Sequence, residues 1–329
     1  MAATIKDVAV YAGVSTATVS HVLNGTRYVA ESTQERVKMA IKKLGYVPNI
    51  SASGLRSNRT KRIGMLVPSI SSFFSVDIAD AVEQVLGKNG YQLVIACSHE
   101  DIEREKKQMD VFTYQQVDGV LMFPAPGAHG YLDEMVRKIP IVFLDRKASG
   151  CERDVIIGEN ISASYDLVMQ MLEEGRRRIG ILNGTEGVSA LEERIEGYRK
   201  ALTVKGVEFM PELIQNGNST ITGGYEATEA LLEVKGLDAI ISLAPPMTIG
   251  CLKCLKRYKR KIPGDIAVAG FGDTEWADIA DPPVTTLRHP LFEMGQMAAQ
   301  KLLNRLEQPE QKEYETIRVP LELIRRVSF

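Results

Sequence analysis

The chain has 329 residues, 44% of them hydrophobic, with a net charge of −2, four cysteines and four histidines. That length exceeds one ordinary domain, four thiols make no disulfide framework at this size, and no apolar run approaches the ~20 residues a membrane helix needs. The charge is unevenly placed: through residue 62 there are ten Lys and Arg against Asp7, Glu31 and Glu35, a net of +7, which leaves −9 on the other 267 residues.

Residues 4–25 read TIKDVAVYAGVSTATVSHVLNG. Ile5, Val8 and Ala9 share one side of a short helix, Gly13 and Val14 turn the chain, and Val19, Val22 and Leu23 line a second helix that starts at Ser15. This spacing predicts a helix-turn-helix. The second helix keeps Thr16, Ala17, Thr18 and His21 off its apolar stripe, small side chains and one planar donor/acceptor that suit entry into a major groove. An ordinary helical hairpin has the same period, but the local +7 is the charge that duplex phosphates attract. Lys6, Ser15, Asn24, Arg27 and Tyr28 complete the candidate DNA surface.

A third helix is predicted over Ser32–Leu44, with Val37, Ala40, Ile41 and Leu44 inward and Ser32 as N-cap facing Glu35. Gly45-Tyr46-Val47-Pro48 ends it. The polar segment NISASGLRSN, residues 49–58, then leads to the basic run Arg59-Thr60-Lys61-Arg62. Asn49 can cap a short helix there, and Leu55 with Arg56 sets an apolar wedge beside a cation, a pairing suited to a minor-groove step.

Together TIKDVA, AGVS, TVSHVLN, TRYVAE, GYVPN, Leu55-Arg56 and KRIGMLVP resemble the lactose repressor family of bacterial transcription regulators. The resemblance is collinear along the chain and most specific in the first sixty residues. It implies that Thr16, Ala17 and His21 read bases, and that Leu55 wedges into the central step of a palindromic operator of double-stranded DNA. It also implies a homodimer, with a two-lobed periplasmic-binding-protein-like core behind the head. Ser53-Gly54 departs from the Arg many relatives carry before the wedge, and a helical Gly costs about 1 kcal/mol relative to Ala.

From Ile63 the pattern becomes alternating strand and helix, the signature of parallel sheets covered by helices in an α/β protein. IGMLVPS, YQLVIACS, DGVLMFP and PIVFLD form one set of strands, with helices near 75–89, 101–114 and 131–138. RIGILNG, LDAIISLA and IAVAGFG form a second, with helices near 191–205, 222–235 and 247–258. The expected organisation is a head over 1–48, a hinge over 49–62 and a core over 63–329. The resemblance implies three crossings between lobes, so that about 63–160 and 290–318 make lobe one, and about 161–289 and 319–329 make lobe two.

Ligands of open α/β sheets sit beyond the carboxyl ends of the strands. At those ends the sequence places Phe73 and Phe74, Asp145 and Arg146, Asn183, Asp273 and Trp276, with Arg194 on the helix after RIGILNG. Aromatic faces with carboxylates and bidentate Arg suit a hydroxyl-rich or anionic small molecule, a sugar or related metabolite. By the resemblance Asp145 and Arg194 fall on effector-contacting positions. Ala244-Pro245-Pro246 stands where relatives commonly have Asn-Asp, and Gly272-Asp273 where they have a paired Asp-Asp.

Other chemistry finds little support. Cys251 and Cys254, in C-L-K-C on a predicted helix, lack a second ligand pair and read as structural. GFG at 270–272 lacks the further glycine of a dinucleotide fingerprint, and no P-loop, H-E-x-x-H or G-x-S-x-G occurs. His99 and His129 read as loop residues, and His289 precedes Pro290. No enzyme activity, cofactor or metal is expected, and an N-terminus running straight into the hairpin points to the cytoplasm. The end of the chain, LIRRVSF, adds no heptad tail, so a dimer is the expected stop. Two alternatives stay open for the core: a response to a protein partner, and a fused small-molecule enzyme.

Overall fold

The computed structural model describes residues 3–24, 27–46, 59–136, 139–311 and 313–329. Two compact units divide the chain, one up to Thr60 and one from Lys61 to Phe329. The hinge segment 49–58, with Leu55 and Arg56, lies outside the described residues, as does the Asn24 side chain.

In the first unit, helices α1 (Ile5–Ala12), α2 (Thr16–Asn24) and α3 (Glu31–Leu44) close over Val8, Ala9, Ala12, Val19, Val37 and Ala40. Helix α1 opens with a capping box. Asp7 N donates to Thr4 Oγ1 at 3.3 Å, and Thr4 N donates to Asp7 Oδ2 at 2.8 Å, satisfying two backbone donors that helix termini otherwise leave open. Gly13, at φ +64°, ends it in the left-handed region that favours glycine. Ser32 does not cap α3. The helix starts one residue earlier from Ala30, whose carbonyl accepts from Thr33 N and Gln34 N at 2.9 and 3.0 Å, while Gln34 Nε2 ties back to Val29 O at 2.9 Å. With the entry held by backbone bonds and Gln34, Ser32 is left inside the first turn.

The second unit holds two six-stranded sheets. In the first, β1 (Arg62–Val67), β2 (Gln92–Cys97), β3 (Gly119–Met122), β4 (Ile141–Leu144), β5 (Asp154–Gly158) and β11 (Thr316–Val319) lie in the order β11-β5-β4-β3-β1-β2. In the second, β6 (Ile179–Asn183), β7 (Ile214–Asn216), β8 (Ala239–Ser242), β9 (Ala267–Phe271), β10 (Thr285–Arg288) and β12 (Glu322–Ile324) lie in the order β12-β10-β9-β8-β6-β7. All pairs are parallel except β10 with β12. Strands such as Ile141–Leu144 are buried at every residue, as parallel strands covered on both faces must be.

Helices α4 (Phe73–Lys88), α5 (Ile102–Tyr114) and α6 (Tyr131–Val136) accompany the first sheet. Helices α7 (Asn160–Glu173), α8 (Ser189–Lys205), α9 (Ile221–Leu232), α10 (Pro245–Arg257) and the short α11 (Glu275–Ile279) accompany the second. Helix α12 (Leu291–Glu307) follows β10 yet packs its Met294, Ala298, Leu302 and Leu306 into the core of the first sheet with Ile63, Met65 and Ile78. The chain thus passes between the lobes after Gly158, around His289 and between β11 and β12. The segments that follow β1–β4, β6, β8 and β9 all reach the space between the lobes.

Helices α9 and α10 meet almost backbone to backbone. A Cβ on Gly250 would lie 2.2 Å from Ile221 O, and one on Gly224 would lie 2.5 Å from Met247 Cα. Backbone atoms cannot yield as a flexible side-chain tip can, so Gly224→Ala is expected to destabilise the core by about 1–3 kcal/mol. A chemical-denaturation midpoint unchanged from the parent would contradict this packing.

Candidate functional site

On the head, Thr16 and Ala17 lie on the exposed side of α2, opposite Val19, which is fully buried. His21 is half-buried one turn further on. Ser15 and Thr18 also bond to each other. Their hydroxyls lie 2.9 Å apart, and Thr18 N donates to Ser15 Oγ at 3.1 Å, capping α2. Lys6, Arg27 and Tyr28 are exposed, Tyr28 at 94%. The order of an apolar inner stripe and a small-residue outer face follows from the period of the helix alone.

Between the lobes lies a cavity of about 670 Å³, in the size range of small-molecule sites. Phe73, Phe74, Asp145, Arg146, Arg194, Asp273 and Trp276 line it, and so do Glu100, Phe271, Thr274 and His289. Asn183 does not: its carbonyl accepts from Gly217 N at 2.8 Å, its Oδ1 is buried without a partner among the described residues, and Thr185 lines the wall in its place.

Arg194 sits at the centre of the wall. Its Nε donates to Asn160 Oδ1 at 2.8 Å, Nη1 to Leu243 O at 2.7 Å and Nη2 to His289 Nε2 at 3.1 Å, while the guanidinium lies 4.3 Å from the centre of the Phe271 ring. One residue therefore joins α8 to both crossover segments near 160 and 289. Burial lowers its pKa to about 10 against the opposing pull of Asp145, so it stays charged at neutral pH. A guanidinium can only donate. His289 Nε2 must accept, which places the ring proton on Nδ1, an atom buried without a partner among the described residues. Burial, then the Arg194 charge, holds His289 well below its usual range and neutral.

Asp145 occupies a left-handed backbone position at φ +64°, unusual for a residue other than glycine. Burial raises its carboxyl above the usual range despite the nearby charges of Arg194 and Arg146, and Oδ1 has no hydrogen-bond partner among the described residues. Arg146 is committed elsewhere: it grips Glu100 with Nη1 and Nη2 at 2.7 and 2.9 Å. Asp273 is likewise engaged, by Thr286 Oγ1 at 2.6 Å, Arg288 Nη2 at 2.6 Å and Arg326 Nη1 at 2.8 Å. Burial opposes its ionisation, but these donors hold its carboxyl below the usual range. The cations and anions of the wall are thus largely matched within the protein. Among the described residues of the wall, the buried side-chain atoms without a hydrogen-bond partner are Asp145 Oδ1, Arg146 Nε, Thr274 Oγ1 and His289 Nδ1.

Asn160, Glu100 and Thr274 carried no local signal in the sequence, and His289 only its place before Pro290. His129 does sit in a loop, but it is buried, with Nε2 3.1 Å from Glu105 Oε1; Glu105 also accepts from Tyr131 Oη and Ala125 N, both at 2.6 Å. This cluster fixes the loop after β3. Cys251 and Cys254 are buried on α10.

Two family descriptions match the chain: "Bacterial regulatory proteins, lacI family" over residues 4–49 and "Periplasmic binding protein-like domain" over residues 168–329. The ribose operon repressor of Haemophilus influenzae is 30% identical over 96% of this chain and 95% of its own. The HTH-type transcriptional repressor PurR of Proteus mirabilis is 34% identical over 99% of this chain and 96% of its own. Among solved structures, the transcriptional regulator CelR in complex with cellobiose is similar at a TM-score of 0.75 and 30% identity, covering 99% of this chain and 100% of that one.

Proposed function

The chain belongs to the lacI family of bacterial regulatory proteins, as a DNA-binding transcriptional repressor with an effector-binding core, and on that premise we propose that its effector is a neutral carbohydrate held in the cleft between the lobes. The observation that carries this reading is that the charged groups of the cavity wall are paired within the protein, among aromatic rings and hydroxyls. The hydroxyls of Ser72, Thr185 and Thr274 in the lining can both donate and accept. A sugar hydroxyl also does both, so a ring of hydroxyls can pair with such groups. Phe73, Phe74, Phe271 and Trp276 offer flat faces to the C–H side of such a ring. An anion would need a free cation, and Arg146 and Arg194 are already committed. Ribose and cellobiose in the names of two similar proteins agree with this choice.

Trp276 is the single tryptophan of the chain, so its fluorescence reports on the cavity. Titration with neutral pentoses, hexoses and disaccharides is expected to perturb it, and a response confined to sugar acids would overturn the neutral assignment. Asp145→Ala is expected to weaken effector binding by about 1.5–3 kcal/mol, roughly ten- to a hundredfold, the range for a hydrogen bond to a charged group. An unchanged affinity would remove Asp145 from the site.

On DNA, the chain acts as a homodimer on an inverted repeat, since one head reading ~3–5 base pairs cannot select a genomic site. The head over 1–48 reads bases, and the hinge over 49–62 couples it to the core. His21→Ala is expected to cost ~1–3 kcal/mol at the operator and to relax preference at one base position per half-site, whereas Lys6→Ala weakens all sequences alike. Equal losses on operator and random DNA for His21→Ala would make it a phosphate contact.

A further inference from the structure

Arg146 has the chemistry to anchor a negatively charged ligand, and the protein supplies the anion itself. Its Nη1 and Nη2 donate to Glu100 Oε2 and Oε1 at 2.7 and 2.9 Å, the parallel fork by which arginine recognises a carboxylate. Both residues line the cavity. Glu100 stands on the turn after β2 and Arg146 just past β4, and β3 and β1 lie between those strands in the sheet. The pair therefore spans the edge of the sheet that faces the ligand space. The Arg146 side chain is 7% exposed and that of Glu100 28%, so the carboxylate is the outer member and covers the fork. Burial works against the charge on Arg146, but Glu100, by its charge and its hydrogen bonds, and then Asp145 hold the guanidinium above its ordinary range.

The turn that presents Glu100 is held in an uncommon conformation. His99 and Glu100 are consecutive residues at φ +55° and +59°, a left-handed geometry that residues with a Cβ seldom adopt. Backbone bonds fix it: Ser98 N donates to Val67 O at 2.9 Å, His99 N to Pro68 O at 3.0 Å and Asp101 N to Ser98 O at 3.2 Å. Such strain persists only where the surroundings over-determine it, and it gathers at ligand clamps. The rest of the lining leans the same way. Among its described residues Asp77, Glu100, Asp145 and Asp273 stand against Arg146 and Arg194, with no lysine.

We propose that Glu100 is the specificity residue of the cleft, a built-in carboxylate that occupies Arg146 and so excludes acidic sugars while neutral ones enter. This deepens, and rests on, the reading of the effector as a neutral carbohydrate. An acidic ligand must displace a carboxylate already tethered at the fork and then meets the remaining acids of the wall, whereas a neutral sugar has no need to disturb the pair. The penalty falls on the wrong ligand only, which is how a site separates molecules of nearly the same shape.

The test titrates the full-length protein, on Trp276 fluorescence, with sugars that differ in carrying a carboxylate for a hydroxymethyl group: glucose against glucuronate, and galactose against galacturonate. In Glu100→Gly, where glycine suits the left-handed backbone, the affinity for the acid relative to its neutral partner is expected to rise roughly tenfold or more over the parent, the scale of one hydrogen bond to a charged group. Glu100→Gln keeps the side-chain volume without the charge and is expected to gain less. Adding Arg146→Met to Glu100→Gly is expected to remove the gain. No rise in either single variant, or a rise that survives Arg146→Met, would overturn the proposal and leave the pair a structural tie between two loops. A parent that prefers the acids would refute both the role of Glu100 and the neutral-carbohydrate reading. A parent blind to all four sugars, with uronate binding in the Glu100 variants alone, would refute only the latter.

Discussion

Arg194→Met is expected to lower the stability of the core by about 3–5 kcal/mol and to abolish the effector response, because removing one member of a buried charged network strands the others. Methionine keeps much of the stem but none of the donors. Asn160 Oδ1, Leu243 O and His289 Nε2 all lose their partner. Asp145, already raised by burial, loses the first of the charges that oppose that rise. Arg194→Lys keeps the charge but cannot send donors in three fixed directions, so its loss should lie between the parent and Met. Urea unfolding, followed with and without effector, separates the two effects. A cost under about 1 kcal/mol would mean that Arg194 does not anchor the crossover segments.

Arg305→Met is expected to cost a similar amount, about 3–5 kcal/mol, at a site far from the cavity in chemistry. Arg305 on α12 donates to Asp154 Oδ2 and Oδ1 at 2.5 and 3.0 Å, and both side chains are almost wholly buried. The same Asp154 accepts from Glu315 N at 3.0 Å, so the pair ties α12 and the approach to β11 onto β5. Lys301 Nζ, 3.5 Å from Asp154 Oδ1, offers partial compensation and should hold the loss toward the lower end. The double variant Asp154→Leu/Arg305→Met should be more stable than Arg305→Met alone, since no buried charge is left unpaired. A double variant that is the less stable of the two would show that packing, not charge, governs the site.

Much of the candidate site could be read from the residues, and the exceptions have physical causes. Phe73, Asp145 and Trp276 stand at strand ends, and in a parallel sheet every such end faces the same edge. Asn183 stands at one too and misses the cavity, because a strand end specifies an edge but not the direction of a side chain. Asp273 lines the wall, yet its carboxylate is taken by Arg288 and Arg326, partners 15 and 53 residues away that no local pattern announces. Thr4 with Asp7 and Ser32 with Glu35 make the same hydroxyl-then-acid pattern, and only the first is a cap. The second falls inside a helix already begun, and where a helix begins depends on backbone bonds that the pattern does not contain.

Helical and strand periods depend on neighbours a few residues apart, so the linear order alone determined the three helices of the head, the alternation of strand and helix in the core and the concentration of positive charge in the first sixty residues. Those features suffice to recognise a DNA-reading head on an α/β sensor. Tertiary structure decided which charged groups of the cleft are taken by partners within the protein. Whether Arg194 or Arg146 is free depends on Asn160, His289 and Glu100, brought together by the fold over separations of 34, 95 and 46 residues. The energy of a buried hydrogen bond or charge depends on partners in space and on exclusion of water, and neither is a property of sequence neighbours.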